Sequence, residues 1–356
     1  MRISAFVIFV AAVLFGSLLH AADPAAVPLT AVSAHSLGPE RLGNLPPVAV
    51  PGNNPQTDGK ILLGKQLYFD TRLSKDNTVS CATCHNPAMG WSDAGPTSKG
   101  INDQMGGRRA PPVVNAAYSP LQFWDGRAPS LEEQAKGPIA NPIEMGNTHD
   151  AMLRTVDGFP GYVEAFKKVF GDVPITIDRV AEAIAAYERT IVTTDSPFDR
   201  FARGDQTALT KQEQRGLEIF NGKGRCTLCH WGGYFSDGRF HNLGVAPAAG
   251  AKPDEGRMAV TKNPADFGKF KTPTVRDAAS RPPYMHNGTE KTLLDVVHLY
   301  NRGGGTDDEN LDPLMLPLGL SNAEAEALVA FMQRAMVSTN APVAGEQPIP
   351  PAEFPK

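Results

Sequence analysis

All four cysteines of the chain fall within two copies of one short pattern, Cys81-Ala-Thr-Cys84-His85 and Cys226-Thr-Leu-Cys229-His230. In an oxidising compartment four cysteines could form two disulfides, so that reading must be weighed first. It leaves the adjacent histidines without a purpose. A redox dithiol does not need them, and a four-cysteine zinc site would leave both unexplained. Covalent attachment of a c-type haem uses every residue of the pattern. Two thiols at this spacing reach the two vinyl groups of one porphyrin, and the next residue is carried beneath the iron as proximal ligand. The motifs therefore predict two covalently bound haems, one on Cys81, Cys84 and His85 and the other on Cys226, Cys229 and His230.

The chain is long enough to give each haem a domain. Its 356 residues exceed what one ordinary core organises. Glycine (34) and proline (31) are plentiful and aromatic residues make up only 8%. That mix suits helices joined by long structured loops around a cofactor that fills part of the core. Thr210 with Glu213, Thr292 with Asp295 and Ser321 with Glu324 each resemble a capping box ahead of an apolar stripe. Val180, Ile184, Tyr187 and Ile191 form another helical stripe. No alternating strand pattern stands out, so the expected fold is mostly α, with two cytochrome-c-like haem domains in tandem and long loops. Each haem motif follows a short amphipathic segment, Gly64–Phe69 before the first and Gly216–Phe220 before the second, as in a divergent duplication.

The ends read differently. Arg2, the apolar run Ala5–Leu19 and the small residues Ala21 and Ala22 make residues 1–22 an export signal, cleaved near Ala21 or Ala22, and place the mature protein in the periplasm. Residues 23–57 read as a leader, 58–205 as the first haem domain, 206–337 as the second and 338–356 as a disordered tail. With 34 Lys+Arg against 38 Asp+Glu, no global field points to nucleic acid.

Longer motifs carry a resemblance. Phe123-Trp124-Asp125-Gly126-Arg127, Gln134-Ala-Lys-Gly-Pro138 and Ile143-Glu144-Met145, followed by Phe270-Lys-Thr-Pro-Thr-Val-Arg276 and Pro283-Tyr-Met-His-Asn-Gly288, resemble the bacterial dihaem cytochrome c peroxidase and MauG superfamily over residues 59–335. The resemblance implies a peroxide site at the first haem, with Glu144 on its open face and Gln134 and Pro138 as further pocket residues. It implies electron relay by the second domain, with Trp124 between the haems. A carboxylate in such a pocket can move a proton from one peroxide oxygen to the other.

Two departures from the family pattern matter. The family's second histidine, which caps the peroxide haem, matches Ile101 here, and no histidine occurs between His85 and His149. The first iron is then expected to be open, with Met89 or Met105 as the remaining candidates for its sixth site. The distal methionine of the second haem is matched by Tyr300, as in MauG. His298 lies two residues away on nearly the opposite helical face, so only one of the two can reach the iron. The alternative for Tyr300 is a buried phenol bonded to a haem propionate or to backbone. Phenolate ligation would favour the more oxidised states of the iron. The resemblance also implies a calcium ion, held by backbone carbonyls of Arg281 and Pro283. The asparagine that would complete its site is replaced by arginine in Gly107-Arg108-Arg109.

The expected function is an exported oxidoreductase of the cytochrome-c peroxidase type. It would reduce hydrogen peroxide with electrons from a small cytochrome c or cupredoxin. A MauG-like enzyme that oxidises residues of a partner protein and a non-enzymatic dihaem electron carrier are the alternatives. Members of the superfamily often dimerise, and a homodimer is left open.

Overall fold

The computed structural model describes residues 45–305 and 309–340, together with Leu42 and Gly43. The export signal, most of the leader and residues 341–356 of the tail lie outside the described residues. Eleven α-helices carry the described fold, and each begins where the local sequence supplies a start signal or a short turn. In the first half these are α1 (Asp58–Phe69), α2 (Cys81–Cys84), α3 (Leu131–Ala140), α4 (His149–Asp157), α5 (Pro160–Phe170) and α6 (Ile177–Glu188). In the second half they are α7 (Pro197–Ala202), α8 (Lys211–Asn221), α9 (Met258–Thr261), α10 (Leu293–Asn301) and α11 (Asn322–Ala330), the last running into a π turn over Phe331–Ala335. The capping boxes at Thr210, Thr292 and Ser321 are formed as expected and open α8, α10 and α11. Two-residue strands β1 (Phe240–His241) and β2 (Phe270–Lys271) pair antiparallel, too short to leave a period in the sequence.

Two apolar clusters are built on the same plan. In the first, α1 crosses α6 so closely that a Cβ on Gly64 would lie 1.8 Å from the Ala183 carbonyl oxygen. In the second, α8 crosses α11, and a Cβ on Gly216 would lie 2.1 Å from the Ala327 carbonyl oxygen. Glycine is required at both crossings because backbone meets backbone there. Leu63, Leu67, Tyr68, Val180 and Ile184 fill the first cluster, and Leu217, Phe220, Phe235, Leu328 and Phe331 the second. The segments that looked like a repeat in sequence are thus the two helices that precede the haem motifs and pack them.

A buried ion pair ties segments distant in sequence. Arg276, wholly buried, donates from Nη1 and Nη2 to the two Asp199 carboxylate oxygens at 2.9 and 2.7 Å. The same guanidinium also donates to the carbonyls of Gly233 and Gly43. Four of the fork's five donors are satisfied at once, which is what makes burial of this charge tolerable. Ser338 is buried too, and its N–H donates to Asp277 at 2.7 Å, so the packed chain continues past the expected start of the tail. Among the described residues no helix is long and apolar enough to cross a membrane.

Candidate functional site

The two histidine motifs open onto two cavities. One, of about 410 Å³, is lined by Cys84, His85, Trp124, Gln134, Pro138 and Glu144. The other, of about 490 Å³, is lined by Cys226, Cys229, His230, His241, Arg281 and Tyr300. Both volumes fall within the range of cofactor pockets. Trp124, Arg109 and Lys271 line both cavities and form the wall between them.

The first motif lies on α2, capped by Ser80 with Thr83, and His85 ends the helix. The Tyr68 hydroxyl of α1 donates to the His85 carbonyl at 3.0 Å and fixes that turn against the core. Burial lowers the His85 pKa to about 4, so the imidazole is neutral and able to act as a metal ligand. The second motif turns on Arg225, whose backbone is left-handed at φ 52°. There the His230 ring is held by Nδ1, 3.0 Å from the Phe235 carbonyl oxygen. A carbonyl can only accept, so Nδ1 carries the proton and Nε2 keeps its lone pair. All four thiols are free of disulfides, and burial pushes Cys84 and Cys226 up to about 12.

These residues fit two c-type haems. The first motif brings Cys84 and a neutral histidine to one cavity, and the second brings Cys226, Cys229 and His230 to the other. The second cavity is also lined by the cations Arg281 and Lys271. Arg281 Nη1 is buried without a hydrogen-bond partner, and burial pulls the Lys271 ammonium down to about 8, with Asp237 opposing. Acidic propionates are the groups such cations would hold.

The distal residues of the first cavity are set by local geometry. Glu144 follows α3 in a tight turn, where its carboxylate accepts from Asn141 Nδ2 at 2.8 Å. Its backbone carbonyl accepts from Ile101 N–H at 2.9 Å. That contact needs Gly100, since a Cβ there would sit 1.9 Å from the Ile143 carbonyl oxygen. Burial raises the Glu144 pKa, while Arg127 and Asn141 oppose the rise. Pro138 sits inside α3, one turn after Gln134, and its missing N–H leaves the Gln134 carbonyl without its helical partner. Ile101 is buried in the apolar core, and neither Met89 nor Met105 lines the first cavity; both are exposed.

At the second cavity Tyr300 of α10 lies in the wall and its phenol is shifted upward by burial. His298, on the other face of the helix, is exposed and lines neither cavity. The wall between the cavities is fixed through Trp124. Its indole Nε1 donates to the Arg109 carbonyl at 2.8 Å, and its own carbonyl accepts from Lys271 N–H at 2.8 Å.

One of the two carbonyls expected to hold calcium already has another partner. The Arg281 carbonyl already accepts from Arg109 Nη2 at 3.3 Å, joined at 3.1 Å by the carbonyl of Pro282 rather than that of Pro283. A cation of the chain itself stands on the Arg281 carbonyl, one of the two oxygens expected to hold the ion, and this is a poor fit for calcium.

Sequence reading missed one further group. His241 lies in the second cavity wall between two carboxylates, with Nδ1 2.5 Å from Asp312 Oδ2 and Nε2 2.9 Å from Asp237 Oδ2. Burial alone would lower its pKa, yet the two acids, with Cys229 beside them, raise it to about 12. Asp312 is remote in sequence, and nothing local to His241 announces it.

Comparison with known proteins agrees with this architecture. The family model described as di-haem cytochrome c peroxidase matches residues 58–207. The chain is 38% identical to cytochrome-c peroxidase IdrP1 of Pseudomonas sp. (strain SCT), covering 95% of this chain and 96% of that protein. It is 39% identical to the methylamine utilization protein MauG of Methylorubrum extorquens, covering 89% and 88%. The crystal structure of a MauG-like protein associated with microbial copper homeostasis superposes with a TM-score of 0.79 at 28% identity, covering 86% of this chain and 97% of that one. The mostly helical architecture is thus that of two cytochrome-c domains, and the chain belongs to the di-haem cytochrome c peroxidase and MauG family of oxidoreductases.

Proposed function

We propose that the chain reduces hydrogen peroxide to water at the first cavity, with electrons entering from a small donor protein by way of the second. The observation that carries this reading is Glu144, a carboxylate with a raised pKa in the wall of a cavity that also contains His85. His85 and His230 would each be a proximal ligand, with Cys81, Cys84, Cys226 and Cys229 as the thioether anchors. A haem iron bound there supplies the redox chemistry that cleaves the O–O bond. Glu144 takes the proton from one peroxide oxygen and returns it to the other, so that two electrons and two protons leave two waters. Gln134 and Pro138 shape the pocket around the substrate. Trp124, which lines both cavities, is the route between them. Export to the periplasm fits this cofactor set and this donor.

Tyr300 favours a second reading. An oxygen ligand at the second iron would disfavour the reduced state that a cytochrome donor must produce. The chain would then hold oxidising equivalents for a side chain of a partner protein, as in a MauG-like enzyme. A plain electron carrier has no use for Glu144.

Steady-state assay of the dihaem protein with peroxide and excess reduced cytochrome c separates these readings. Sustained multiple turnover, sharply reduced in Glu144→Gln, is expected for the peroxidase. Slow turnover with prompt peroxide consumption would shift the assignment to the protein oxidase. No consumption at all would leave the carrier.

A further inference from the structure

Arg109 is buried, yet among the described residues no carboxylate forms an ion pair with it. Its guanidinium is held only by main-chain oxygens. Nη1 donates to the Gly95 carbonyl, and Nη2 to the carbonyls of Arg281 and Pro282 at 3.3 and 3.1 Å. Gly95 belongs to the first half and the other two to the second. The backbone of Arg109 joins the same halves, its N–H donating to the His286 carbonyl at 2.7 Å and its carbonyl accepting from Trp124. Burial lowers its pKa, but a guanidinium stays charged in any protein environment.

Three carbonyl oxygens converging from two segments, one in each half, make a concentrated negative potential that needs a cation. Hard, uncharged oxygen donors of this kind suit a divalent ion as well as a guanidinium. A bound ion comes with a dissociation constant and its site empties when the ion is scarce. A side chain does not dissociate.

We infer that Arg109 is a tethered cation standing where a dissociable metal ion would otherwise bridge the two halves, and that this chain therefore neither binds nor needs calcium. The guanidinium closes the carbonyl cluster from within, and the same residue's carbonyl orients Trp124. Arg109 is a positioning residue, acting through the wall that it holds.

The test uses the dihaem protein, treated first with a calcium chelator. Calorimetric titration of the wild type with calcium chloride is expected to show no binding. Its thermal midpoint, followed by haem absorbance, should be the same in chelator and in calcium. Arg109→Asn puts a carbonyl oxygen in place of the charge. It is expected to unfold at a lower temperature in chelator and to recover part of the loss as calcium is added, because a ligand that binds only the folded state stabilises it by mass action. Arg109→Lys keeps a charge and should show no calcium response. Stoichiometric calcium binding by the wild type, or a lower wild-type midpoint in chelator, would overturn the inference. So would a folded Arg109→Asn indifferent to calcium. If that variant does not fold, the wild-type titration decides alone.

Discussion

In the proposed reaction a single carboxylate decides how the first cavity works. Glu144 has a pKa raised by burial, with Arg127 and Asn141 pulling the other way. As a base it must be ionised, so peroxide turnover should fall as pH is lowered through that raised pKa, at a higher pH than an exposed glutamate would give. Glu144→Gln cannot accept the proton and should cost about 10²–10⁴-fold in kcat/KM and remove that limb of the pH profile. An unchanged profile would take Glu144 out of the chemistry. Tyr300 makes a second test at the same scale. If its oxygen binds the second iron, Tyr300→Met should raise that haem's reduction potential, because a thioether favours the ferrous state. Spectroelectrochemistry reads this directly, and an unmoved potential would return Tyr300 to the role of a packed phenol. Both positions were pointed to by the family resemblance, and each lines the cavity that the resemblance gave it. Arg109 was legible only as a substitution. Its role depends on carbonyls of residues 281 and 282, which no local pattern connects to it.

Elements were readable where their signals are local. The boxes at Thr210, Thr292 and Ser321 lie within one turn of sequence, and the structure forms all three. The strand pair β1–β2 was not readable, since two residues per strand leave no alternation and the pairing depends on a distant partner. The helix crossings carry their own test. Gly64→Ala or Gly216→Ala drives a methyl group into a facing backbone carbonyl and should lower stability by about 1–3 kcal/mol each, measured by denaturant unfolding of the dihaem protein. Helix α6 adds a pH effect. Glu188 is buried, and desolvation raises its pKa to about 8, with Arg189 opposing. The folded state keeps that proton after the unfolded chain has released it, so stability should decline as pH rises from the ordinary glutamate range toward 8. Glu188→Gln should flatten this slope. An identical slope in the variant would mean that the carboxyl is ionised in the fold.

At the scale of the molecule, long-range polar contacts complete what the helices begin. Asp199→Ala leaves the Arg276 guanidinium buried without its acid and should cost about 3–5 kcal/mol. Thermal or denaturant unfolding measures the loss. Nothing in the sequence pairs Asp199 with Arg276, because their proximity is a product of the finished fold. The wall formed by Trp124, Arg109 and Lys271 is another such product, and it bears on how chains of this kind can be recombined. Two domains alike in plan invite exchange of halves between relatives, as though each were a cassette. Here the wall is assembled from both halves, so a crossover near residue 205 would part Arg109 from the oxygens that seat it. A hybrid would keep both sets of haem ligands and still lose the alignment between its two compartments, unless the incoming half presented matching carbonyls.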